Sequence, residues 1–401
     1  MTPFTHIVVL GGAGKMGRGI VLLLLQRVAQ GDHFRVTIVD TDPSQFDGVK
    51  EYFRYHLQKI DSKRVAVCLQ ALCFLTRVEE CGPADLVFEA IIENVEIKAD
   101  VLAKVDKATG GRAIFFTNTS SIPIHVLEEK ARLKGRILGF HFYNPPPVQQ
   151  LVEMITPKGA PKDLKTLGLE MGEKLKKRIV PSTDIAGFIG NGHFMREIVF
   201  AWHLVERLSH QMSLSEALVV VNTVYQEWLL RPMGIFQLVD YVGIDVCTEI
   251  LKIMRTFLEE DALHCPYLER LIGKGVRGGQ HPDGSQKSGI FEYQEGLPKG
   301  VYDVEKGLYM PYKAHSLGNG VTEGLTWRSL LKDPEREVKI AAYFKRLSSE
   351  DLFGAQLAME MLSASHAIGK KLVEEGVAHS LEDVNTVLRL GFYHLYGVGF
   401  K

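Results

Sequence analysis

Near the start of the chain, three glycines stand in the spacing G-x-G-x-x-G, at Gly12, Gly14 and Gly17. Gly12 permits a tight turn, Gly14 lets the backbone approach a pyrophosphate, and Gly17 lets a helix pack closely against a strand. A helix that begins here offers free N–H groups and a partial positive charge to phosphate groups. The motif therefore predicts a dinucleotide site, with Lys15 and Met16 of the turn among the cofactor-binding residues.

An acidic residue follows where such a site binds ribose. Asp40 ends the second apolar run of the chain, 23 residues after Gly17. A carboxylate there accepts hydrogen bonds from the ribose hydroxyls and repels a 2′-phosphate, so the sequence favours NAD over NADP. A glycine turn with no ligand, next to an Asp40 that caps a helix, is the alternative that the sequence leaves open.

The elements that must position this turn have the order strand, glycine turn, helix, strand. Residues 6–10 (HIVVL) and 34–40 (FRVTIVD) are apolar runs, and residues 20–28 between them have a helical pattern. Residues 44–75 indicate a mostly helical excursion. Further buried strands are predicted at 84–91, 113–120, 136–143 and 179–184. This alternation is typical of an α/β Rossmann-type doubly wound sheet.

Beyond residue 185 the pattern changes to long amphipathic helices, with a glycine-dense, loop-rich stretch at 266–325. We predict an NAD-binding Rossmann domain at 1–185, a helical substrate domain at 186–325 and a second helical module at 326–401, so that the C-terminal region is all-α. The sequence from His203 resembles that from Lys371, which indicates a duplicated module. Two amphipathic helices of similar composition are the alternative explanation.

Composition and charge exclude several classes of protein. The chain has 401 residues, a net charge of −1 and an isoelectric point near 6.9, so nothing attracts it globally to nucleic acid or to an anionic membrane. Its five cysteines contain no C-x-x-C pair, which argues against a disulfide framework and a structural zinc. No apolar run approaches the roughly 20 residues that span a bilayer. We therefore expect a cytoplasmic protein without a metal.

Several segments resemble, in order and spacing, the signature segments of the L-3-hydroxyacyl-CoA dehydrogenase family. Besides the glycine turn they are EAIIENVEIK (89–98), TNTSS (117–121), GFHFYNPPPVQQLVE (139–153), DIAGFIGN (184–191), RPMGIFQLVDYVGID (231–245) and QKSGIFEY (286–293). The match covers roughly residues 5–295, and the tail is similar to the second helical module of the larger members. The resemblance implies NAD-dependent oxidation of (3S)-3-hydroxyacyl-CoA to 3-oxoacyl-CoA, in fatty-acid β-oxidation or short-chain acyl-CoA metabolism.

The resemblance also implies a catalytic set. His141 matches the family's general base and Glu153 the carboxylate that orients it, while Ser120 and Asn191 match the residues that hold the substrate oxygen. Ser121 is the rival of Ser120. A neutral histidine suits the removal of an alcohol proton as hydride leaves, and a carboxylate stabilises the imidazolium that forms. His141 ends a strand and Glu153 lies beyond a proline-rich turn, so the chain can bring them together.

On the cofactor side, the resemblance implies NAD contacts by Asp40, Glu93, Lys98, Asn144 and Lys287. Lys63 falls in the helical excursion where the family places a coenzyme A contact, an assignment that depends on spacing alone. Glu93 and Lys98 can also be read as charges that flank the start of a helix. Gly192 departs from the family, which usually has an arginine there, and Arg196 can substitute from the next turn.

Two other functions stay open at this point. A related NAD-dependent sugar-acid dehydrogenase of the gulonate type would use the same cofactor and base without coenzyme A, and a non-catalytic binding protein could use the same scaffold. The TNTSS and FYNPPP strings favour an acyl-CoA substrate. Because a second helical module would cover the surface through which shorter members dimerise, we expect a monomer or a homodimer with a different interface. A separate enoyl-CoA hydratase partner also stays open.

Overall fold

The computed structural model describes residues 4–281, 284–312, 317 and 324–399. The chain divides into two compact units. The first is Met1–Phe188 with Val377–His379, and the second is Ile189–Gly376 with Ser380–Lys401. The division after residue 188 lies three residues beyond the predicted domain boundary at 185. The predicted module at 326–401 does not separate as a third compact unit, so its origin by duplication stays a prediction.

The first unit is built on an eight-stranded sheet in the order β3-β2-β1-β4-β5-β6-β7-β8. Its strands are β1 (His6–Leu10), β2 (Arg35–Val39), β3 (Leu72–Leu75), β4 (Leu86–Glu89), β5 (Ile114–Thr117), β6 (Ile137–Phe142), β7 (Leu151–Thr156) and β8 (Arg178–Thr183). The first six strands are parallel, whereas β7 is antiparallel to β6 and parallel to β8. Parallel strands that are buried on both faces explain the continuous apolar runs in the sequence, and the predicted α/β fold is confirmed.

Helices connect these strands. They are α1 (Lys15–Ala29), α2 (Phe46–Asp61), α3 (Val65–Gln70), α4 (Val95–Ala108), α5 (Ile124–Ala131) and α6 (Lys162–Lys174), with 3-10 turns at Pro43–Gln45 and Val78–Glu80. The predicted helical excursion at 44–75 is wrong over its last four residues. Leu72–Leu75 form β3, because these apolar residues pair with β2 at the edge of the sheet instead of continuing α3.

The second unit is mostly helical. Its helices are α7 (Gly190–Leu208), α8 (Leu214–Thr223), α9 (Ile235–Val242), α10 (Ile244–Leu258), α11 (Pro266–Gly273), α12 (Trp327–Leu330), α13 (Arg336–Leu347), α14 (Phe353–Glu374) and α15 (Leu381–Gly391), with a π-helical turn at Val224–Trp228. The prediction of an all-α region is wrong at one place. An antiparallel sheet of β9 (Phe291–Gln294), β10 (Leu297–Asp303) and β11 (Leu308–Pro311) forms within the stretch that the sequence indicates as loops.

The two similar sequences in the second unit adopt similar local structures. Each leads from the end of one helix to a serine that caps the next: Ser213 caps α8 and Ser380 caps α15. Asn222 in α8 and Asn385 in α15 then accept hydrogen bonds from backbone N–H groups farther along the chain. The matching caps and matching asparagines support a duplicated module. Among the described residues, no helix combines the length and the apolar character that a membrane span requires.

Candidate active site

The glycine turn lies between β1 and α1, as the sequence predicts. A Cβ atom at Gly17 would lie 2.1 Å from the carbonyl oxygen of Gly11, so glycine is required for the helix to start this close to the strand. Asp40 Oδ2 accepts a hydrogen bond from the Ala13 N–H at 3.0 Å, which fixes the turn against the end of β2. Lys15 and Met16 are the first two residues of α1, and the N-terminus of a helix is a favourable place for phosphate groups.

A buried charge network occupies the neighbouring strand end. Glu89, the last residue of β4, is fully buried and accepts a hydrogen bond from Lys98 Nζ at 2.6 Å. The other oxygen of Glu89 accepts from the Thr117 hydroxyl at 2.5 Å. Lys98 Nζ also lies 3.3 Å from Glu93 Oε2. Burial opposes the charge on Lys98, but Glu89 and Glu93 outweigh it and raise the pKa of this lysine.

Glu93 organises the turn that follows β5. Its Oε1 accepts hydrogen bonds from the backbone N–H groups of Ser120 at 2.8 Å and Ser121 at 3.1 Å. The Thr119 hydroxyl donates to the same oxygen at 2.6 Å. Burial acts to raise the pKa of Glu93, but Lys98 and these donors outweigh it, and the pKa is lowered. The carboxylate therefore stays ionised and holds the turn that carries Ser120.

His141 and Glu153 face each other directly across the β6–β7 pair. The proline-rich turn reverses the chain, and the antiparallel register places the two side chains on the same side of the sheet. His141 Nδ1 lies 3.2 Å from Glu153 Oε1, and Glu153 is fully buried. A proton on Nδ1 is donated to Glu153, which leaves Nε2 as the acceptor of the ring.

Tyr143, which the sequence does not mark as a site residue, also contacts Glu153. Its hydroxyl donates to Glu153 Oε1 at 2.7 Å, the same oxygen that lies against His141. Burial, and after it the charge of Glu153, raises the pKa of Tyr143 well above its ordinary value. The spacing offers a signal that could have identified this residue, since side chains two positions apart in a strand point to the same side.

The strand end that carries His141 is tied to the turn that carries Ser120. Asn118, which follows β5, accepts a hydrogen bond from the Phe142 N–H at 2.8 Å through its side-chain oxygen. The carboxyl ends of β1, β4, β5 and β6 lie along one edge of the sheet, because these strands are parallel. In open α/β sheets this edge is where ligands bind.

Comparison with known proteins decides the family. The NAD binding domain of 3-hydroxyacyl-CoA dehydrogenase matches residues 6–185, and the C-terminal domain of 3-hydroxyacyl-CoA dehydrogenase matches residues 187–288. The chain belongs to the 3-hydroxyacyl-CoA dehydrogenase family. This makes it an NAD-dependent 3-hydroxyacyl-CoA dehydrogenase, and the recognition from the signature segments is confirmed.

Individual relatives agree with this assignment. The chain is 30% identical over 297 residues to the mitochondrial hydroxyacyl-coenzyme A dehydrogenase of Homo sapiens, over 70% of this chain and 90% of the relative. It is 29% identical over 282 residues to a probable 3-hydroxybutyryl-CoA dehydrogenase of Deinococcus radiodurans, over 69% of this chain and 98% of the relative. The crystal structure of 3-hydroxybutyryl-CoA dehydrogenase from Escherichia coli shares the fold, with a TM-score of 0.70 and 20% identity over 98% of this chain and 90% of that one.

A buried acceptor in the first unit of this dehydrogenase, on Asn144, is suited to a contact with NAD. The side-chain oxygen of Asn144 is buried and has no hydrogen-bond partner among the described residues. Asn144 lies one residue beyond Tyr143, in the turn that follows β6. The carboxamide N–H of a nicotinamide is a donor of the kind that such an acceptor needs. Asn144 therefore fits the NAD contact that the sequence predicts.

The remaining predicted site residues lie elsewhere in the dehydrogenase. Lys63 is exposed in the loop between α2 and α3. Asn191 lies in the first turn of α7, and Lys287 is exposed in the loop before β9; both belong to the second unit. The roles of these three residues stay predictions. Within the first unit, the predicted residues at the strand ends gather into the Glu93 network and the His141–Glu153 pair.

Proposed function

We propose that the protein oxidises (3S)-3-hydroxyacyl-CoA thioesters to 3-oxoacyl-CoA with His141 as general base and Glu153 as the residue that orients it. The observation that carries this proposal is the 3.2 Å approach of His141 Nδ1 to a fully buried carboxylate across the β6–β7 pair. A histidine held in one tautomer by a carboxylate is suited to proton transfer near neutral pH.

The proton moves from the substrate hydroxyl to His141. The hydrogen bond from Nδ1–H to Glu153 leaves the Nε2 lone pair to take the hydroxyl proton, as the C3–H bond breaks and the C3–O double bond forms. Bound NAD⁺ supplies the acceptor for the hydride. The imidazole ring then carries a positive charge. The Glu153 carboxylate stabilises that charge, because it is fully buried and keeps its contact with the ring instead of turning to water.

The substrate oxygen is held, in this proposal, by Ser120 and Asn191. Ser120 is supported by Glu93, which fixes its backbone N–H at 2.8 Å. Donors that are already in place stabilise the charge that develops on the oxygen without reorganising during the reaction. Asn191, at the start of α7, is assigned on the family resemblance alone.

The substrate class that we propose is short-chain 3-hydroxyacyl-CoA, in β-oxidation or related short-chain acyl-CoA metabolism. It is supported by the relatives named as 3-hydroxybutyryl-CoA dehydrogenases. Lys63 is proposed as a contact for the coenzyme A, which carries phosphates that an exposed lysine can attract. We also propose that the protein is cytoplasmic and is a monomer or a homodimer. A separate enoyl-CoA hydratase partner stays open.

The test is turnover of acetoacetyl-CoA with NADH by a His141→Gln variant. We expect a loss of about 10²- to 10⁴-fold, the usual contribution of general acid–base catalysis, with NADH affinity retained. The matched control is His125→Gln, since His125 also contacts a carboxylate, that of Asp184 at 2.9 Å, but is exposed. Unchanged turnover in His141→Gln would contradict the mechanism. Absence of any acetoacetyl-CoA turnover beside activity on a sugar acid would favour the gulonate-type alternative.

A further inference from the structure

The oxygen that orients the proposed base has two donors in the first unit. Glu153 Oε1 accepts the Tyr143 hydroxyl at 2.7 Å and lies 3.2 Å from His141 Nδ1. The rings of Tyr143 and His141 are 4.9 Å apart between centroids and inclined by 42°. The tyrosine thus packs beside the histidine and shares its acceptor.

The two donors compete for the same negative charge. A hydroxyl that donates to a carboxylate stabilises the ionised form and draws electron density toward itself. The shorter of the two contacts belongs to Tyr143, so the carboxylate is a weaker partner for the imidazole than it would be alone. The phenol remains a donor throughout the neutral range, since the pKa of Tyr143 is raised well above its ordinary value by burial and by Glu153.

Among the described contacts of Glu153, the titratable groups are His141 and Tyr143. Glu153 comes from β7, and Tyr143 directly follows β6, the strand of His141. The neighbouring strand β5 ends at Thr117, which donates to Glu89, and is followed by Asn118, which accepts from the Phe142 N–H; both residues are uncharged. The Phe188 ring, 6.3 Å from the imidazole, is apolar.

We propose that Tyr143 is a positioning residue of the dehydrogenase reaction, which acts through Glu153 to fix the carboxylate and to keep His141 a weaker base. The consequence is that more of His141 is neutral, and able to accept the substrate proton, at the acidic end of the working range. This inference rests on the proposed role of His141 and Glu153, and adds a third residue to that pair.

The experiment compares the wild type with Tyr143→Phe, which removes the hydroxyl and keeps the ring. The readout is the pH dependence of kcat/KM for oxidation of (S)-3-hydroxybutyryl-CoA by NAD⁺, which reports the ionisation of the essential base in the free enzyme. We expect the acidic limb to move to higher pH by about half a unit, because a pKa changes with the electrostatic environment of its group. Tyr55→Phe is the matched control, since Tyr55 is exposed and its hydroxyl contacts only Lys59 among the described hydrogen bonds.

A Glu153→Gln background tests whether Tyr143 acts through the carboxylate. We expect Tyr143→Phe to shift the limb in the wild type and not in Glu153→Gln, since the two residues form one interacting unit. If Glu153→Gln turns over too slowly for kinetics, titration of the His141 imidazole followed by NMR gives the same comparison without turnover.

The outcomes separate this proposal from the proposed function. A limb that stays in place or moves to lower pH in Tyr143→Phe overturns the role of Tyr143, as does an equal shift in the Glu153→Gln background. If Tyr143→Phe gives one of these results and His141→Gln is inactive, the role of His141 as general base still holds and only the role of Tyr143 is overturned. If His141→Gln keeps full turnover, the proposed function fails first, and the role of Tyr143 fails with it.

Discussion

Each unit of the molecule buries a carboxylate against a cation, but the surroundings of the two pairs differ. In the first unit Glu89 lies 2.6 Å from Lys98, and in the second Glu197 lies 3.1 Å from Arg231. All four residues are buried. By burial and charge alone, the two pairs would be equal candidates for a functional site.

The partners beyond each pair distinguish them. In the first unit, Lys98 also contacts Glu93, and Glu93 accepts a hydrogen bond from the backbone N–H of Ser120. The turn that carries Ser120 lies at the carboxyl end of the parallel strands. Around Glu197 and Arg231 the further contacts include the helical side chains Tyr225, Ser365 and His193. Burial acts against ionisation of Glu197, but Arg231 and His193 outweigh it and lower its pKa to about 2.

A buried charge therefore indicates function only when its contacts reach a place where a ligand can bind. The first network ends at the edge where open α/β sheets bind their ligands, whereas the described contacts of the second lie among side chains of the helical unit. We expect changes in the first network to affect cofactor binding and turnover, and changes in the second to affect stability.

The largest expected effect is that of Arg231→Met on the second unit. Removal of the guanidinium leaves Glu197 buried without its ion partner, which lowers the free energy of unfolding by about 3–5 kcal/mol. Urea denaturation measures this loss, and NADH binding to the folded fraction should be retained. A stable Arg231→Met protein that no longer binds NADH would reverse the assignment of the two networks.

Two further variants control that experiment. Arg207→Met removes an ion pair with Glu360 that is partly exposed, at 53% and 39% of the side chains, so its cost should stay within about 1 kcal/mol. The double variant Arg231→Met with Glu197→Met removes both charges and should recover much of the stability, because no buried charge is left without a partner.

The second prediction concerns the first network and Glu93→Gln. The Glu93 carboxylate has two oxygens: one accepts from the Ser120 and Ser121 N–H groups, and the other contacts Lys98. The glutamine amide has only one oxygen and no charge. Hydrogen bonds to charged groups are worth about 1.5–3 kcal/mol. We expect turnover of acetoacetyl-CoA to fall by roughly 10- to 100-fold.

Glu96→Gln is the matched control for Glu93→Gln. Glu96 lies in the first turn of α4, three residues after Glu93, but it is exposed and forms its ion pair with Lys130 on the surface. We expect near-normal turnover for this variant. Equal turnover of the two variants would mean that the Glu93 network is only structural.

The sequence predicts those parts of the site that depend on local pattern. The glycine turn, β1 and β2 follow from apolar runs and glycine spacing within 40 residues. Strand β7 was not predicted, because a glutamate in its centre interrupts the apolar pattern. Glu153 is buried there only because the β6–β7 register sets it opposite His141.

Apart from the His141–Glu153 pair, which the family resemblance implies, contacts that depend on register or on packing between elements could not be predicted from the sequence. The contact of Tyr143 with Glu153 requires the antiparallel pairing of β6 with β7, and the contact of Lys98 with Glu89 requires α4 to pack over the end of β4. The β9–β11 sheet was missed because glycines and polar residues surround its short strands. Local periodicity does not contain the information that decides such contacts.

The third prediction is loss of stability in mild acid, caused by His394. Burial first, and then Arg231, lowers the pKa of His394 well below its ordinary value of 6.5. The unfolded chain therefore takes up this proton at higher pH than the folded protein does. The contribution of His394 to the free energy of unfolding is fully present above pH 6.5. It is lost as the pH falls from 6.5 toward the pKa of His394 in the folded protein, by about 1.4 kcal/mol per pH unit.

Urea denaturation at pH 7.0 and pH 5.5 measures this slope. His394→Gln should reduce the slope, since glutamine does not titrate, whereas His210→Gln should leave it unchanged, because His210 is exposed. An equal slope in the wild type and in His394→Gln would show that this histidine is protonated equally in both states.

The smallest expected effect belongs to a third ion cluster, at Glu260 in the second unit. Glu260 bonds Arg196 at 2.8 Å and Lys371 at 2.5 Å, but the Glu260 side chain is 25% exposed and that of Lys371 is 40% exposed. Water reaches Glu260 and Lys371, and the buried Arg196 keeps a second carboxylate, Glu375, at 3.5 Å. We therefore expect Glu260→Gln to lower the free energy of unfolding by at most about 1 kcal/mol. The difference should shrink in 1 M salt, where screening acts within about 3 Å. A loss as large as that of Arg231→Met, unchanged by salt, would mean that pairing itself, and not burial, sets the cost of removing a charge in this unit.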